Sequence, residues 1–160
     1  MQIFDFNATT DESAWRVVDD RVMGGRSNGA FSINDKGHGV FAGKVSLENN
    51  GGFSSVRHRM ESLPVEDYGT FVVRLKGDGK RYQFRVKSEV SDRHSYVSYF
   101  QTSGSWQTIK IPFEQMYPTF RGRKLDMANF PGHKVAEIAF LIGNKKAEEF
   151  EIVVDWIGVE

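Results

Sequence analysis

Cysteine is absent from all 160 residues, and with it go disulfides, thiolate nucleophiles and cysteine-ligated metal centres. That suits a reducing compartment. Net charge is missing too: 21 Lys and Arg balance 21 Asp and Glu, so no global field draws the chain to nucleic acid or an anionic membrane. No stretch approaches the roughly 18 uninterrupted apolar residues of a membrane span. The start, Met1-Gln2-Ile3-Phe4-Asp5-Phe6, lacks the basic and apolar regions of a secretory signal. The expectation is a cytoplasmic protein without membrane insertion or a nucleic-acid partner. Internal repeats, low-complexity tracts and linkers are also lacking, which makes residues 1–160 one domain.

What is present is a core. Hydrophobic residues make up 39% of the chain, with 13 Phe, 5 Tyr and 3 Trp, and at this length about two-thirds of the unfolded surface can be buried. Runs rich in β-branched and aromatic residues recur between Gly, Asn, Asp and Ser clusters, so the pattern is all-β. Strands are expected near Ile3 to Phe6, Trp15 to Val18, Ala30 to Ile33, Gly39 to Leu47, Phe53 to Met60 and Thr70 to Lys76. Others are expected near Arg81 to Lys87, Ser95 to Thr102, Trp106 to Phe113, Val135 to Ile142 and Phe150 to Ile157. Asp78-Gly79 predicts a hairpin between two alternating segments, and Ser103-Gly104 a second one. Only Glu114 to Tyr117 and Leu125 to Asn129 allow a short helical turn. Tyr117 to Lys134 is then the longest irregular connection, of the kind that often carries function.

Alternation assigns faces. Phe71, Val73 and Leu75 alternate with Arg74 and Lys76; Tyr82, Phe84 and Val86 alternate with Arg81, Gln83, Arg85 and Lys87. With Val56 and Met60 inward, Arg57 and Arg59 point out. The parity of Ser95 to Thr102 is ambiguous. If sequential strands pair, Arg57, Arg74 and Arg85 form a row of guanidinium groups within a stripe that includes Arg59, Lys76 and Lys87. Like charges so placed repel unless acidic partners offset them, and Arg121 and Arg123 in the long connection extend the patch. A solvated sheet face is the plain alternative.

Three blocks occur together: Trp15-Arg-Val-Val-Asp-Asp-Arg-Val-Met-Gly-Gly-Arg-Ser27, Phe41-Ala-Gly-Lys-Val-Ser-Leu-Glu-Asn-Asn-Gly-Gly-Phe-Ser-Ser-Val-Arg57 and Gly77-Asp-Gly-Lys-Arg-Tyr82. With Trp106 to Phe113, Arg121-Gly122-Arg123 and the closing Phe150 to Ile157, the chain resembles the complex I intermediate-associated protein 30 (CIA30) family from about Phe4 to Ile157. The resemblance implies a jelly-roll β-sandwich, galactose-binding-domain-like, related in shape to carbohydrate-binding modules. It also implies a role like that of the mitochondrial members, which assist assembly of respiratory complex I (NADH:ubiquinone oxidoreductase). The expectation is a stand-alone bacterial-type member consisting of the bare domain, and no catalytic residue carries over.

The remaining motifs have plain readings beside sharp ones. Gly25-Arg26-Ser27-Asn28-Gly29 matches G-x-S-x-G, but a nucleophile elbow leads into a helix and here a strand follows. His38, His58, His94 and His133 are scattered without metal-ligand spacing. Asp19 and Asp20 are read as capping their own turn; a structural calcium, which the resemblance allows, would need a third carboxylate. No cofactor is expected. Asn49-Asn50-Gly51-Gly52 is a sharp turn whose amides could also read a ligand hydroxyl. Trp15 and Trp156 are assigned to the core, while Trp106 is left open as core or platform. Two functions follow. The preferred one is a non-enzymatic, chaperone-like binding module with a protein partner, using Arg57, Arg59, Arg74, Arg85, Arg121 and Arg123. The alternative is a carbohydrate-binding module using Asn49, Asn50, Arg57, Tyr99 and Trp106.

Overall fold

The computed structural model describes residues 1–160. Thirteen strands follow in order: β1 Gln2–Asp5, β2 Arg16–Asp19, β3 Asn28–Ile33, β4 Gly39–Val45, β5 Ser54–Pro64, β6 Thr70–Lys76 and β7 Arg81–Lys87. The others are β8 Ser95–Gln101, β9 Trp106–Pro112, β10 Tyr117–Phe120, β11 Arg123–Lys124, β12 Lys134–Ile142 and β13 Glu148–Val159. Helical structure is limited to short 3-10 turns. No helix is long and apolar enough to cross a membrane.

The strands form two antiparallel sheets. One runs β3-β4-β13-β6-β9, with β1 beside the end of β13; the other runs β11-β10-β8-β7-β12-β5-β2. Their inner faces make the core, as alternation predicts. Phe71, Val73 and Leu75 of β6, Phe41 of β4 and Ile152 and Ile157 of β13 are buried from one side. Val56, Tyr82, Phe84, Val86, Ile138 and Phe140 are buried from the other. Phe71 and Phe84 meet across the layers edge to face, 5.2 Å between ring centroids. In β8, Tyr96 and Phe100 face this core and Val97 and Tyr99 face away.

Chain order and sheet order part company here. β6 lies in the six-stranded sheet while β5 and β7 lie in the other, separated by β12. Asp78-Gly79 therefore turns the chain from one sheet to the other, and the expected hairpin is not formed. Gly79, at φ 85°, fits the left-handed position. Asp78 accepts hydrogen bonds from the Lys80 amide at 3.2 Å, the Tyr82 hydroxyl at 3.0 Å and the Glu151 amide at 2.9 Å, tying the corner to β13. Ser103-Gly104 likewise joins β8 to β9 across the sandwich. A hairpin does occur where none was expected: β10 pairs β11 through Arg121 and Gly122, both with positive φ, the conformation of a tight two-residue turn. This hairpin occupies the start of the span read from sequence as irregular, and Phe113–Gln115 forms the short turn.

Phe84 is fully buried between Phe71 and Phe140, 5.6 Å from the latter. Phe84→Ala should therefore cost about 3–5 kcal/mol, read from the shift of a single urea-unfolding transition. A loss below about 1 kcal/mol would contradict this core.

Candidate functional site

Residues directly opposite each other in an antiparallel pair share a face. One row across the outer face of the seven-stranded sheet therefore holds Arg16, Arg57, Ala139, Arg85, Val97 and Tyr117. The row on one side contains Val18, Ser55, Leu141, Gln83 and Tyr99; the row on the other contains Arg59, Glu137 and Lys87. Ala139 and Glu137 are each only 3% exposed although they point away from the core. The long side chains of β5 and β7 flank them in register, Arg57 and Arg85 beside Ala139 and Arg59 and Lys87 beside Glu137.

Most of the basic groups have partners within the chain. Arg59 Nε donates to Glu137 Oε1 at 3.0 Å, and Lys87 Nζ donates to the Asp92 carbonyl at 2.6 Å. Arg81 lies over the Tyr99 ring at 4.2 Å, and Lys124 Nζ is 5.4 Å from the Tyr117 ring centre. Arg85 finds only a neutral acceptor, Gln83 Oε1 at 2.8 Å, whose amide donates in turn to the Tyr99 hydroxyl at 3.2 Å. Arg57 makes no side-chain hydrogen bond or ion pair. Burial, reinforced by Arg57, pushes Arg85 down to about 10. Burial also lowers Arg57; Glu137 opposes that shift, while Arg16 and Arg59 add to it. Both remain charged at neutral pH, so the face holds two partly desolvated cations without a carboxylate of their own.

The structure separates other residues that the sequence reading grouped. Arg74 is not in the row with Arg57 and Arg85, because β6 belongs to the six-stranded sheet. There Arg74 Nε donates to Asp155 Oδ2 at 3.1 Å and the guanidinium lies 5.1 Å from the Trp106 ring centre. Trp106 is half-buried on that outer face, edge to face with His38, on the opposite sheet from Tyr99. Trp156, opposite Arg74 in the register, is also half-buried and outside the core cluster; the bulge in β13 between Val154 and Trp156 reverses the expected parity. Trp15 is core, stacked on His58 at 5.3 Å. Arg121 sits at the exposed β10–β11 turn. Arg123 lies opposite Phe120, on the side alternate to Tyr117 and Thr119, so Lys124 takes the place on the basic face expected of Arg121 and Arg123. Glu137 and Ala139 escaped the sequence reading, although a lone Glu inside the apolar run Val135–Ile142 signals a buried partner for a cation.

Asp20 organises one end of the sandwich. Fully buried, it accepts hydrogen bonds from the Ser27 amide at 2.8 Å, the Ser27 hydroxyl at 2.5 Å and the Gly52 amide at 2.6 Å. The carboxylates thus satisfy turn amides, Asp19 taking that of Arg21 at 3.1 Å. A Cβ on Gly25 or Gly51 would come within 2.4 Å of the Asp20 carboxylate, so both loops close on it as glycines. Ser27 is sealed inside, its hydroxyl also accepting from the Ser46 amide at 2.9 Å, and β3 follows it. No three His, Asp or Glu side chains gather to hold a metal ion. Asn49 and Asn50 adopt left-handed φ of 56° and 59°. The Asn49 amide donates to the Gly24 carbonyl at 3.1 Å, joining the two loops at this end. Two surface depressions, of about 240 and about 150 Å³, are lined by Met1, Val72 and Trp156 and by Lys76, Asp78 and Glu151; neither is on the basic face.

The two antiparallel sheets make a β-sandwich, a fold shared by solved carbohydrate-binding modules. The family 11 carbohydrate-binding module of cellulosomal cellulase Lic26A-Cel5E of Clostridium thermocellum superposes with TM-score 0.68 and 16% identity, covering 98% of this chain and 92% of that one. The same kind of module from that organism, in complex with a β-1,3-1,4-mixed-linked tetrasaccharide, also gives 0.68 at 16% identity, with 99% and 94% covered. Identity that low speaks for the fold alone. A family model described as Complex I intermediate-associated protein 30 (CIA30) matches residues 4–154, and the chain belongs to that family. Among its relatives, "Complex I intermediate-associated protein 30, mitochondrial" of Drosophila melanogaster is 26% identical, covering 99% of this chain and 62% of its own length. The Mus musculus protein of the same name is 24% identical, covering 98% and 55%. This chain thus spans less than two-thirds of the length of these curated relatives.

Burial raises the Asp20 pKa, but the bonds from Ser27, Gly52 and Phe53 outweigh it, and the carboxyl sits below its ordinary value. A depressed folded pKa contributes stability that is present above the unfolded value and lost as pH falls through the folded one. Asp20→Ala should lose at least about 3 kcal/mol, because each orphaned buried donor costs roughly 1–3 kcal/mol. Thermal melts between neutral and strongly acid pH should show wild-type stability falling more steeply below about pH 4 than that of Asp20→Asn. Parallel profiles would show that the charge of Asp20 contributes nothing.

Proposed function

We propose that this domain is a non-enzymatic binding module that docks an acidic protein surface on the outer face of its seven-stranded sheet, and that it serves assembly of a membrane respiratory complex. The observation that carries the reading is the pair Arg57 and Arg85, partly desolvated and without a carboxylate partner. A folded protein gains nothing from such cations alone; opposing carboxylates would recover the lost interaction through charge-assisted, bidentate bonds. Family membership supplies the context, since the curated relatives carry the name of a complex I intermediate-associated protein. The glycan alternative draws on the fold of the neighbouring modules and on Tyr99, 40% exposed. Of its other proposed contacts, Arg57 shares that face, but Trp106 and the Asn49-Asn50 turn lie on the opposite sheet and at one end of the sandwich, which weakens it.

Affinity purification from native cells, with complex I subunits as the readout, tests the proposal. The wild-type domain should retain them and Arg57→Ala/Arg85→Ala should not. With the purified partner, Arg85→Lys, which keeps charge and loses the fork, should weaken binding more than tenfold, about 1.4 kcal/mol or more, and association should slow with added salt. Trp106→Ala should bind as wild type. Loss on Trp106→Ala with the double Arg variant still active, or saturable binding of a β-glucan oligosaccharide, would favour the carbohydrate reading instead.

A further inference from the structure

Among the basic residues of this face, position and partners single out two. Arg57 and Arg85 are the residues opposite Ala139 on either side, so they stand two strand spacings apart, about 9–10 Å between Cα atoms. Between them the floor is a methyl group, buried at 3% exposure. The Arg57 charge is close enough to lower the pKa of Arg85. Of their neighbours, Arg16 stands exposed on the edge strand β2, and the others are already engaged: Arg59 by Glu137, Lys87 by the Asp92 carbonyl, Arg81 by Tyr99 and Asn144. Val97, covered at 1% exposure, and the half-buried Tyr117 continue the row beyond Arg85, and the Tyr117 ring gives this side an apolar shoulder.

We infer that Arg57 and Arg85 form an oxyanion cradle over Ala139, which takes a glutamate or aspartate carboxylate from an extended acidic peptide segment. The inference rests on the docking face proposed above and names the chemistry at its centre. A carboxylate fits because the guanidinium fork donates two parallel bonds to two coplanar oxygens. The side-chain methylene behind it would lie against the half-buried Tyr117 ring, which a fully hydrated inorganic anion does not use. The cradle also accounts for two arginines kept at a site where they repel each other. The surrounding Arg16, Arg59 and Lys87 supply a positive field without making the specific contact.

Titration of the isotope-labelled domain with an acetylated hexaglutamate amide, followed through arginine Nε–H resonances, tests this. The Arg57 and Arg85 signals should move saturably and that of Arg59 little, with no response to the hexaglutamine analogue. Arg57→Ala and Arg85→Ala should each weaken the peptide by about tenfold or more, and Arg59→Ala by about twofold at most. In the unliganded protein, Arg85→Met should raise the melting temperature, because it removes an uncompensated charge and keeps the apolar stem. The cradle is overturned if the peptide does not saturate, if Arg59 and Lys87 respond as strongly as Arg57 and Arg85, or if inorganic phosphate binds there and the peptide does not. The two readings fail separately. Peptide binding at the cradle, with partner retention unchanged in Arg57→Ala/Arg85→Ala, would refute the docking face alone; partner loss in that variant without peptide binding would refute the cradle alone.

Discussion

Strand β12 lies between β5 and β7, and the rest of the candidate site depends on that placement. Because it is paired on both sides and packed on one face by the opposite sheet, β12 has no edge through which to shed buried residues. Its outward residues must be small, apolar or paired, and they are: Leu141, Ala139 and Glu137. The strands on either side then supply long cationic side chains that flank it in register. One carboxylate in this strip leaves the charges uneven. Arg59 is answered internally and Arg57 and Arg85 are not.

A second constraint works at the end of the sandwich. Asp20 draws the loops around Ser27 and Gly52 onto one buried carboxylate, which the packing of Gly25 and Gly51 seals from solvent. This gives a structural meaning to the sequence blocks that carry the family resemblance. In the first two blocks Asp20, Gly25, Ser27, Gly51 and Gly52, including a string that imitates a serine-hydrolase motif, are the parts of a loop clasp. The Ser27 hydroxyl is committed to Asp20 and Ser46, so the chemistry at this end is hydrogen bonding that holds β2, β3 and β5 in place.

The two outer faces of the sandwich differ in kind. On the six-stranded sheet, Arg74 is neutralised by Asp155 and stacked near Trp106, with His38 against the same ring. On the seven-stranded sheet the cations outnumber their acceptors. Carbohydrate-binding modules share the frame, but a β-sandwich hosts recognition in the side chains placed on it. Here those at the centre of the larger sheet are guanidinium groups in place of a line of flat exposed rings.

How far these features were legible in the sequence follows the range of the physics behind each. Alternation is local, and it correctly assigned Phe71, Val73, Leu75, Tyr82, Phe84 and Val86 to the core and Arg57 and Arg85 to the surface. The all-β class and the capping of its own turn by Asp19 are also local, resting on β-propensity and on a short polar side chain; Asp20, read as capping the same turn, instead gathers the amides of Ser27 and Gly52 from distant loops. Strand order is not local. Asp78-Gly79 specifies a sharp turn equally well within a sheet or between sheets, and only the packing of two apolar faces decides that β6 crosses over while β12, some fifty residues later, fills the gap between β5 and β7. The bulge that turns Trp156 outward has the same origin, since one extra residue reverses parity without leaving a mark in composition. By itself the sequence determined which side chains leave the core along the regularly alternating strands, β6 and β7 above all. Which of them meet, and which cations go without a partner, was decided by the tertiary structure, because pairing between distant strands is set by burial of the whole core.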